Sequence, residues 1–176
     1  MNLIIKTESR LERAPDKSIW TGTGFSYQFW ERYLMVFDTV QPVARIRDVA
    51  EIPPGWNRVD GERVAVFPIP HYIGPAEYAL RALQTNAVIK GLAKLTDAVL
   101  IRPPSHVANL LAPYLWSARR PYGVEVLGDP NGALAPGAIR HPLHWFFRWW
   151  FTRQQKRQCA RAAAVAYVTE RSLQQL

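Results

Sequence analysis

The chain has 176 residues, 48% of them apolar and 20% charged, which excludes bulk disorder and allows one ordinary domain with a real core. A single cysteine, Cys159, excludes an internal disulfide framework and fits a reducing compartment. The net charge of +8 asks for a polyanionic neighbour: nucleic acid, an anionic membrane surface or a phosphorylated substrate.

The first residues, Met1-Asn2-Leu3-Ile4-Ile5-Lys6, are too few and too soon charged for a signal peptide. No apolar run approaches the ~20 residues of a membrane span, so a cytoplasmic protein is expected. Leu3-Ile4-Ile5 predicts a first strand, Phe25 to Phe37 a helix and Val43 to Ile46 a second strand. The loop Thr21-Gly22-Thr23-Gly24-Phe25-Ser26 leads into that helix, and its amides and positive helix end can hold a phosphate. It is not G-x-G-x-x-G and lacks the P-loop lysine, so a plain loop before a helix fits as well.

From Val64 onward strand and helix signals alternate. Arg63-Val64-Ala65-Val66-Phe67 predicts a short strand closed by Pro68 and Pro70. Pro75 opens a helix on which Leu80, Leu83, Ala87, Val88 and Leu95 share one face. Ala98-Val99-Leu100-Ile101 is the continuous apolar run of a strand buried on both faces. Ser105 is placed to cap a helix carrying Val107, Leu110, Leu111, Tyr114 and Leu115, which Pro113 should kink or split. Tyr122 to Leu127 predicts the next strand, Gly128 to Pro142 a loop, Leu143 to Ala160 a helix, Ala163 to Val168 a strand, and a further helix begins near Glu170. The alternation predicts an α/β fold, a mostly parallel sheet covered on both faces, over residues 1–176 as a single domain.

In such sheets ligands bind beyond the carboxyl ends of the strands. That rule nominates Arg102 to His106 with Ser105, Gly128 to Asn131, and Thr169-Glu170. Asp129 can accept a proton, orient a hydroxyl or coordinate a metal there. Asp before Pro is also a common way to start a turn, and from the residues alone the turn reading is preferred. Glu125, inside an apolar strand, needs a partner, and Arg102 at the end of the neighbouring strand supplies one as a structural ion pair. His106, just beyond a strand end, is better placed for chemistry than His71, His141 or His144. His141 and His144 form H-x-x-H without a Glu base or third ligand, so no metal site is expected.

The helix from Leu143 carries Leu143, Phe146, Phe147, Trp150 and Phe151 as a stripe expected to face the sheet. Trp145 and Trp149 fall on another side and continue into Arg153 and Lys156. Aromatic rings beside cations suit an anionic membrane surface. Plain packing under a further domain fits the same pattern, and nucleic acid ranks behind both.

With these segments laid out, the chain resembles the N-terminal domain of bacterial GT-B glycosyltransferases of the family 4 (group 1) kind. The resemblance runs over nearly the whole length. It is carried by Thr7-Glu8-Ser9-Arg10, Thr23-Gly24-Phe25-Ser26-Tyr27 with Phe29-Trp30, Tyr72-Ile73-Gly74-Pro75, Tyr122 to Pro130, Trp150-Phe151-Thr152-Arg153-Gln154, and Ala164 to Glu170. It implies a Rossmann-like three-layer α/β/α domain that receives a glycan or lipid-linked acceptor. The partner it implies is a C-terminal donor-binding GT-B domain, nothing of which is matched in this chain. Transfer would proceed from a nucleotide sugar with retention and without a metal, the sugar nucleotide entering as substrate and no cofactor being needed.

Many relatives carry His-Asp after the fifth strand, whereas Gly128-Asp129 stands here, so only the aspartate carries over. The resemblance also sets Gly22 to Ser26 near the donor phosphates and the basic Trp helix on the inner face of the cell membrane. An isolated half of this kind is expected to transfer no sugar. The competing expectation is a non-catalytic peripheral membrane or glycan-binding module with the same fold.

Overall fold

The computed structural model describes residues 1–133 and 143–169. The chain is mixed α/β and divides into two compact units, Met1–Val99 and Leu100–Leu176.

The first unit holds β1 (Asn2–Arg13), β2 (Ile19–Thr21), α1 (Tyr27–Leu34), β3 (Thr39–Asp48), β4 (Asn57–Arg58), β5 (Phe67–Pro70) and α2 (Gly74–Leu92). Strands β1, β3 and β5 run parallel, with Leu3 opposite Val40, Leu11 opposite Ile46 and Arg45 opposite Ile69. Leu3, Ile4 and Ile5 are all buried, as are Val40, Val43, Ala44 and Ile69, so these strands are apolar on both sides. The register shifts between Lys6 and Arg10: Lys6 faces Val43 and Arg10 faces Arg45, so four steps along β1 oppose two along β3.

Beyond that shift β1 continues to Arg13, turns and returns antiparallel as β2, which pairs with β4. Asp16 Oδ1 closes the turn by accepting from the amide and hydroxyl of Ser18 at 3.0 and 2.5 Å. The expected strand over Leu3–Ile5 is therefore the opening of a much longer one. Its second half is polar, with Lys6, Thr7, Ser9 and Glu12 buried, and carries no apolar run to announce it.

Two further expectations are corrected in this unit. The strand expected over Arg63–Phe67 lies at Phe67–Pro70, with both prolines inside it. Among the described residues strand β5 pairs with β3 alone, and an edge strand tolerates residues that cannot donate to a ladder. Helix α2 begins beside Pro75 as expected, but the face bearing Leu80, Leu83 and Ala87 points to solvent: Leu80 is 89% and Leu83 90% exposed. Thr85, Ile89 and Leu92 form the buried side.

In the second unit the chain runs β6 (Ala98–Ile101, straddling the boundary), α3 (His106–Ser117), β7 (Gly123–Val126), α4 (Pro130–Ala133), α5 (His144–Ala160) and β8 (Ala164–Tyr167). Strands β6, β7 and β8 are parallel, with Leu100 opposite Gly123 and Val126 opposite Tyr167. Ser105 caps α3 by accepting from the Ala108 amide at 3.0 Å, and Val107, Ala108, Leu111, Ala112 and Leu115 are buried. Pro113 lies inside the helix without dividing it.

The stripe expected to seat α5 is corrected in part. Leu143 and Phe146 are exposed, and the fully inward residues are Gln155 and Gln158. Phe147, Trp150 and Phe151 are half-buried, and a hydrogen-bonded set adds to their contact. Gln158 Nε2 donates to Asn109 Oδ1 at 2.7 Å, the Tyr122 hydroxyl donates to the Gln158 carbonyl at 2.9 Å, and Trp116 Nε1 donates to that hydroxyl at 2.8 Å. This set ties α5 to α3 and to Tyr122, just before β7. The helix expected from Glu170 and the histidine at His141 lie outside the described residues.

Candidate functional site

Parallel strands bring the segments that follow β6, β7 and β8 to one edge of the second unit. Arg102 is 3% exposed, and its Nε donates to Glu125 Oε2 at 2.7 Å, so the ion pair expected from the sequence is made. The Leu127 amide donates to the Pro103 carbonyl at 2.9 Å and ties the two strand ends together. Just past them stand His106, the first residue of α3 and half-buried, and Asp129, half-buried three residues after β7.

Asp129 Oδ2 accepts from the Gly132 amide at 3.0 Å and so closes the first turn of α4. The carbonyl of Gly128 accepts from Gln155 Nε2 at 3.3 Å. Ser105 is committed to its cap, Thr169 is half-buried beyond β8, and Glu170 lies outside the described residues. A carboxylate and an imidazole at the ends of adjacent strands can orient a hydroxyl or take its proton. Cys159 is half-buried and burial pushes its thiol up, which leaves little thiolate for nucleophilic work.

The Gly22–Ser26 loop belongs to the first unit and leads into the eight-residue α1. The Thr23 amide donates to Thr21 Oγ1 at 3.1 Å, and Ser26 is the extended N-cap residue without a side-chain cap bond. A Cβ on Gly22 would lie 2.9 Å from the Trp56 ring, so packing accounts for that glycine. Gly24 faces open space, and Phe25 stacks on Trp30 with centroids 6.0 Å apart. One glycine of the loop is thus required by a neighbouring ring and the other is not.

Sequence reasoning missed a second set of polar residues, on β1, β3 and the segment after β5. Lys6 is 1% exposed and its Nζ lies 3.4 Å from Glu8 Oε2. Arg45 Nη2 lies 3.2 Å from Glu8 Oε1, Nη1 donates to the Tyr72 carbonyl at 3.1 Å, and the guanidinium carbon stands 4.8 Å from the Tyr72 ring centre. Arg47 is paired with Glu12. Burial pushes the Tyr72 hydroxyl up to about 12, against the pull of Arg45. Burial first, then the Arg47 and Arg45 charges, holds His71 below the ordinary histidine value, so its imidazole is kept neutral. Charged residues two apart, at Lys6, Glu8, Arg10 and Glu12 and at Arg45 and Arg47, were the visible signal.

The outward side of α5 is aromatic and cationic. Trp145 is 63% and Trp149 54% exposed, and the Arg153 guanidinium lies 5.6 Å from the Trp149 ring centre. Trp145, Arg148, Trp149, Arg153, Lys156 and Arg157 line an open groove of about 750 Å³ along this helix. The helix contains no Asp or Glu. Arg157 and Arg161 lie over Trp116, at 5.2 and 4.6 Å from its ring centre. Among the described residues no helix is long and apolar enough to cross a membrane, and no three His, Cys, Asp or Glu side chains are grouped to hold a metal.

Against known proteins one likeness stands out. The chain is similar to Protein CapJ of Staphylococcus aureus. The two are 26% identical over 181 residues, which covers 98% of this chain and 43% of CapJ. The chain therefore spans less than half of that relative's length. No family model matches the sequence, and no solved structure matches it.

Proposed function

We propose that this chain is the acceptor-side half of a retaining GT-B glycosyltransferase of the family 4 kind. In this reading it is a Rossmann-like three-layer α/β/α domain that receives a lipid-linked or polysaccharide acceptor. A donor-binding domain supplied by residues other than these 176 holds the nucleotide sugar. The observation that carries the reading is the set of parallel strands β6, β7 and β8 ending in a polar edge, on segments that resemble the family's motifs. The likeness to CapJ along 98% of the chain is compatible with it.

At that edge Asp129 and His106 orient the acceptor hydroxyl, and the Arg102–Glu125 pair holds the strand ends that carry them. Thr169 stands on the rim of that edge, and the Gly22 to Ser26 loop of the first unit is assigned by the same reading to the donor phosphates. The Trp145, Trp149, Arg153 and Lys156 side of α5 rests on the anionic inner face of the cell membrane, where a lipid-linked acceptor is held. No cofactor or metal enters the scheme, and the nucleotide sugar is a substrate.

The test is assay of the purified chain with nucleotide sugars and a lipid-linked glycan in detergent. The expected result is saturable acceptor binding without transfer, and transfer once the chain is joined to a donor-binding half. Turnover by the chain alone at an ordinary enzymatic rate, on the order of 1 s⁻¹ or more, overturns the half-enzyme reading. The exposed tryptophan–cation side of α5 favours one other reading, a non-catalytic peripheral membrane module. Vesicle binding without acceptor binding would select it.

A further inference from the structure

We infer that the outward side of α2 is a self-pairing surface, through which two copies of this chain associate with their α2 helices antiparallel about a two-fold axis. A surface helix ordinarily buries one apolar stripe and shows a polar one. Helix α2 is apolar on two opposite sides. Thr85, Ile89 and Leu92 are buried, while Ala76, Leu80, Leu83 and Ala87 face out, the two leucines almost fully exposed.

The outward residues are spaced by four, three and four, the interval that keeps side chains on one helix face and lets two helices interlock. Their order is also symmetric. Ala76 and Ala87, like Leu80 and Leu83, are centred between Arg81 and Ala82. An antiparallel second copy with its two-fold axis at that point sets Leu80 against Leu83 of the other chain, and Ala76 against Ala87. That is the reciprocal contact an isologous interface requires. Leucines fill the centre, and alanines at both ends let the backbones come close.

Charge selects the same direction. Glu77 lies in the first turn of α2 and Lys90 in the last. Antiparallel packing brings the acidic end of one helix to the basic end of the other and opposes their dipoles, whereas parallel packing would align like with like. The apolar stripe from Ala76 to Ala87 spans twelve residues, about 16 Å of helix, and Lys90 lies one turn beyond it. A contact of that length falls at the low end of specific interfaces, below roughly 1,200 Å² in total, so association depends on concentration.

The experiment is sedimentation velocity of the 176-residue chain from about 1 μM to about 1 mM, a range that brackets weak association. A dimer should grow in across that range, and Leu83→Glu should weaken it by tenfold or more, about 1.4 kcal/mol. Because Leu83 is exposed, thermal unfolding of that variant should be unchanged. Register is read in a Cys159→Ser background with a short bis-maleimide. A mixture of Leu80→Cys and Leu83→Cys chains should cross-link faster than either alone. A monomer at all concentrations, a dimer indifferent to Leu83→Glu, or faster cross-linking of Leu80→Cys to itself would each overturn the proposal. So would a monomer whose binding to anionic vesicles is lost in Leu83→Glu, which would assign the stripe to a lipid surface.

Discussion

Glu125, on β7, accepts a 2.7 Å charged hydrogen bond from the Nε of Arg102, which follows the neighbouring strand β6. The Arg102 side chain is 4% exposed and that of Glu125 16%, so each ion is taken out of water by the same fold that pairs it. Removing one partner of such a pair leaves a buried charge without its counter-ion. Glu125→Leu should lower unfolding free energy by about 3 kcal/mol, and Arg102→Met combined with Glu125→Leu should recover most of the loss. Urea denaturation of the three proteins measures it. A double variant as unstable as Glu125→Leu would show that Arg102 matters through other contacts.

A second buried polar contact makes a different demand. Gln158 is fully buried and its Nε2 donates to Asn109 Oδ1, so an amide pair joins α5 to α3 beside the half-buried rings of the expected apolar stripe. Gln158→Leu would strand the Asn109 acceptor, at a cost of about 1–3 kcal/mol. Asn109→Leu with Gln158→Leu should be less destabilised than the sum of the single changes. A double-mutant cycle with coupling under about 0.5 kcal/mol would contradict that.

These contacts also mark what the sequence could disclose. The Arg102–Glu125 pair was legible because a carboxylate inside Tyr122–Leu127 is out of place unless a cation stands beside it. The Ser105 cap, β6, α3 and the extent of α5 were legible for the same kind of reason: each is announced by residues close together in the chain. The polar half of β1 was not, since its burial depends on register against β3 and on the hairpin through β2. Lys6, Glu8, Arg45 and Tyr72 meet only after those pairings form. The face of α2 was ambiguous because Leu80–Leu83 and Ile89–Leu92 offer two apolar stripes, and periodicity does not say which one meets the sheet.

The pair His71 and Tyr72 should respond to pH in opposite directions. Burial and the Arg47 and Arg45 charges favour neutral His71, so its contribution to stability is present above about pH 6.5 and is lost as pH falls through its lowered value. Burial favours the neutral Tyr72 hydroxyl, so its contribution is present below about pH 10 and is lost as pH rises toward about 12. Imidazole titration by NMR should give a His71 midpoint below the ordinary value, and Arg47→Gln should move it upward. No movement in that variant would assign the shift to burial alone.

Ser105 supplies a purely local test. Its hydroxyl is the acceptor for the Ala108 amide at the start of α3, and the residue is 1% exposed. Ser105→Ala should cost about 1 kcal/mol, while Ser105→Asp should retain the cap and favour the positive helix end. If Ser105→Asp proves much the less stable of the two, burial of the new charge outweighs the capping bond.

The outward side of α5 can be tested through its two kinds of contact separately. Trp145 and Trp149 present ring surface to solvent, and Arg153 and Lys156 stand on the same side of the helix. At an anionic surface each Lys or Arg contributes about 1 kcal/mol, and the attraction is screened by salt. Arg153→Gln with Lys156→Gln should therefore weaken binding to anionic vesicles by roughly thirtyfold and flatten its salt dependence. Trp145→Ala with Trp149→Ala should weaken binding and leave the salt dependence intact, because the rings act by burial in the headgroup region. Both variants should unfold at the temperature of the parent chain, since none of these side chains belongs to the core. Vesicle co-sedimentation in a salt series separates the two effects. Tryptophan variants that bind as well as the parent would leave the cations alone responsible for any surface attachment.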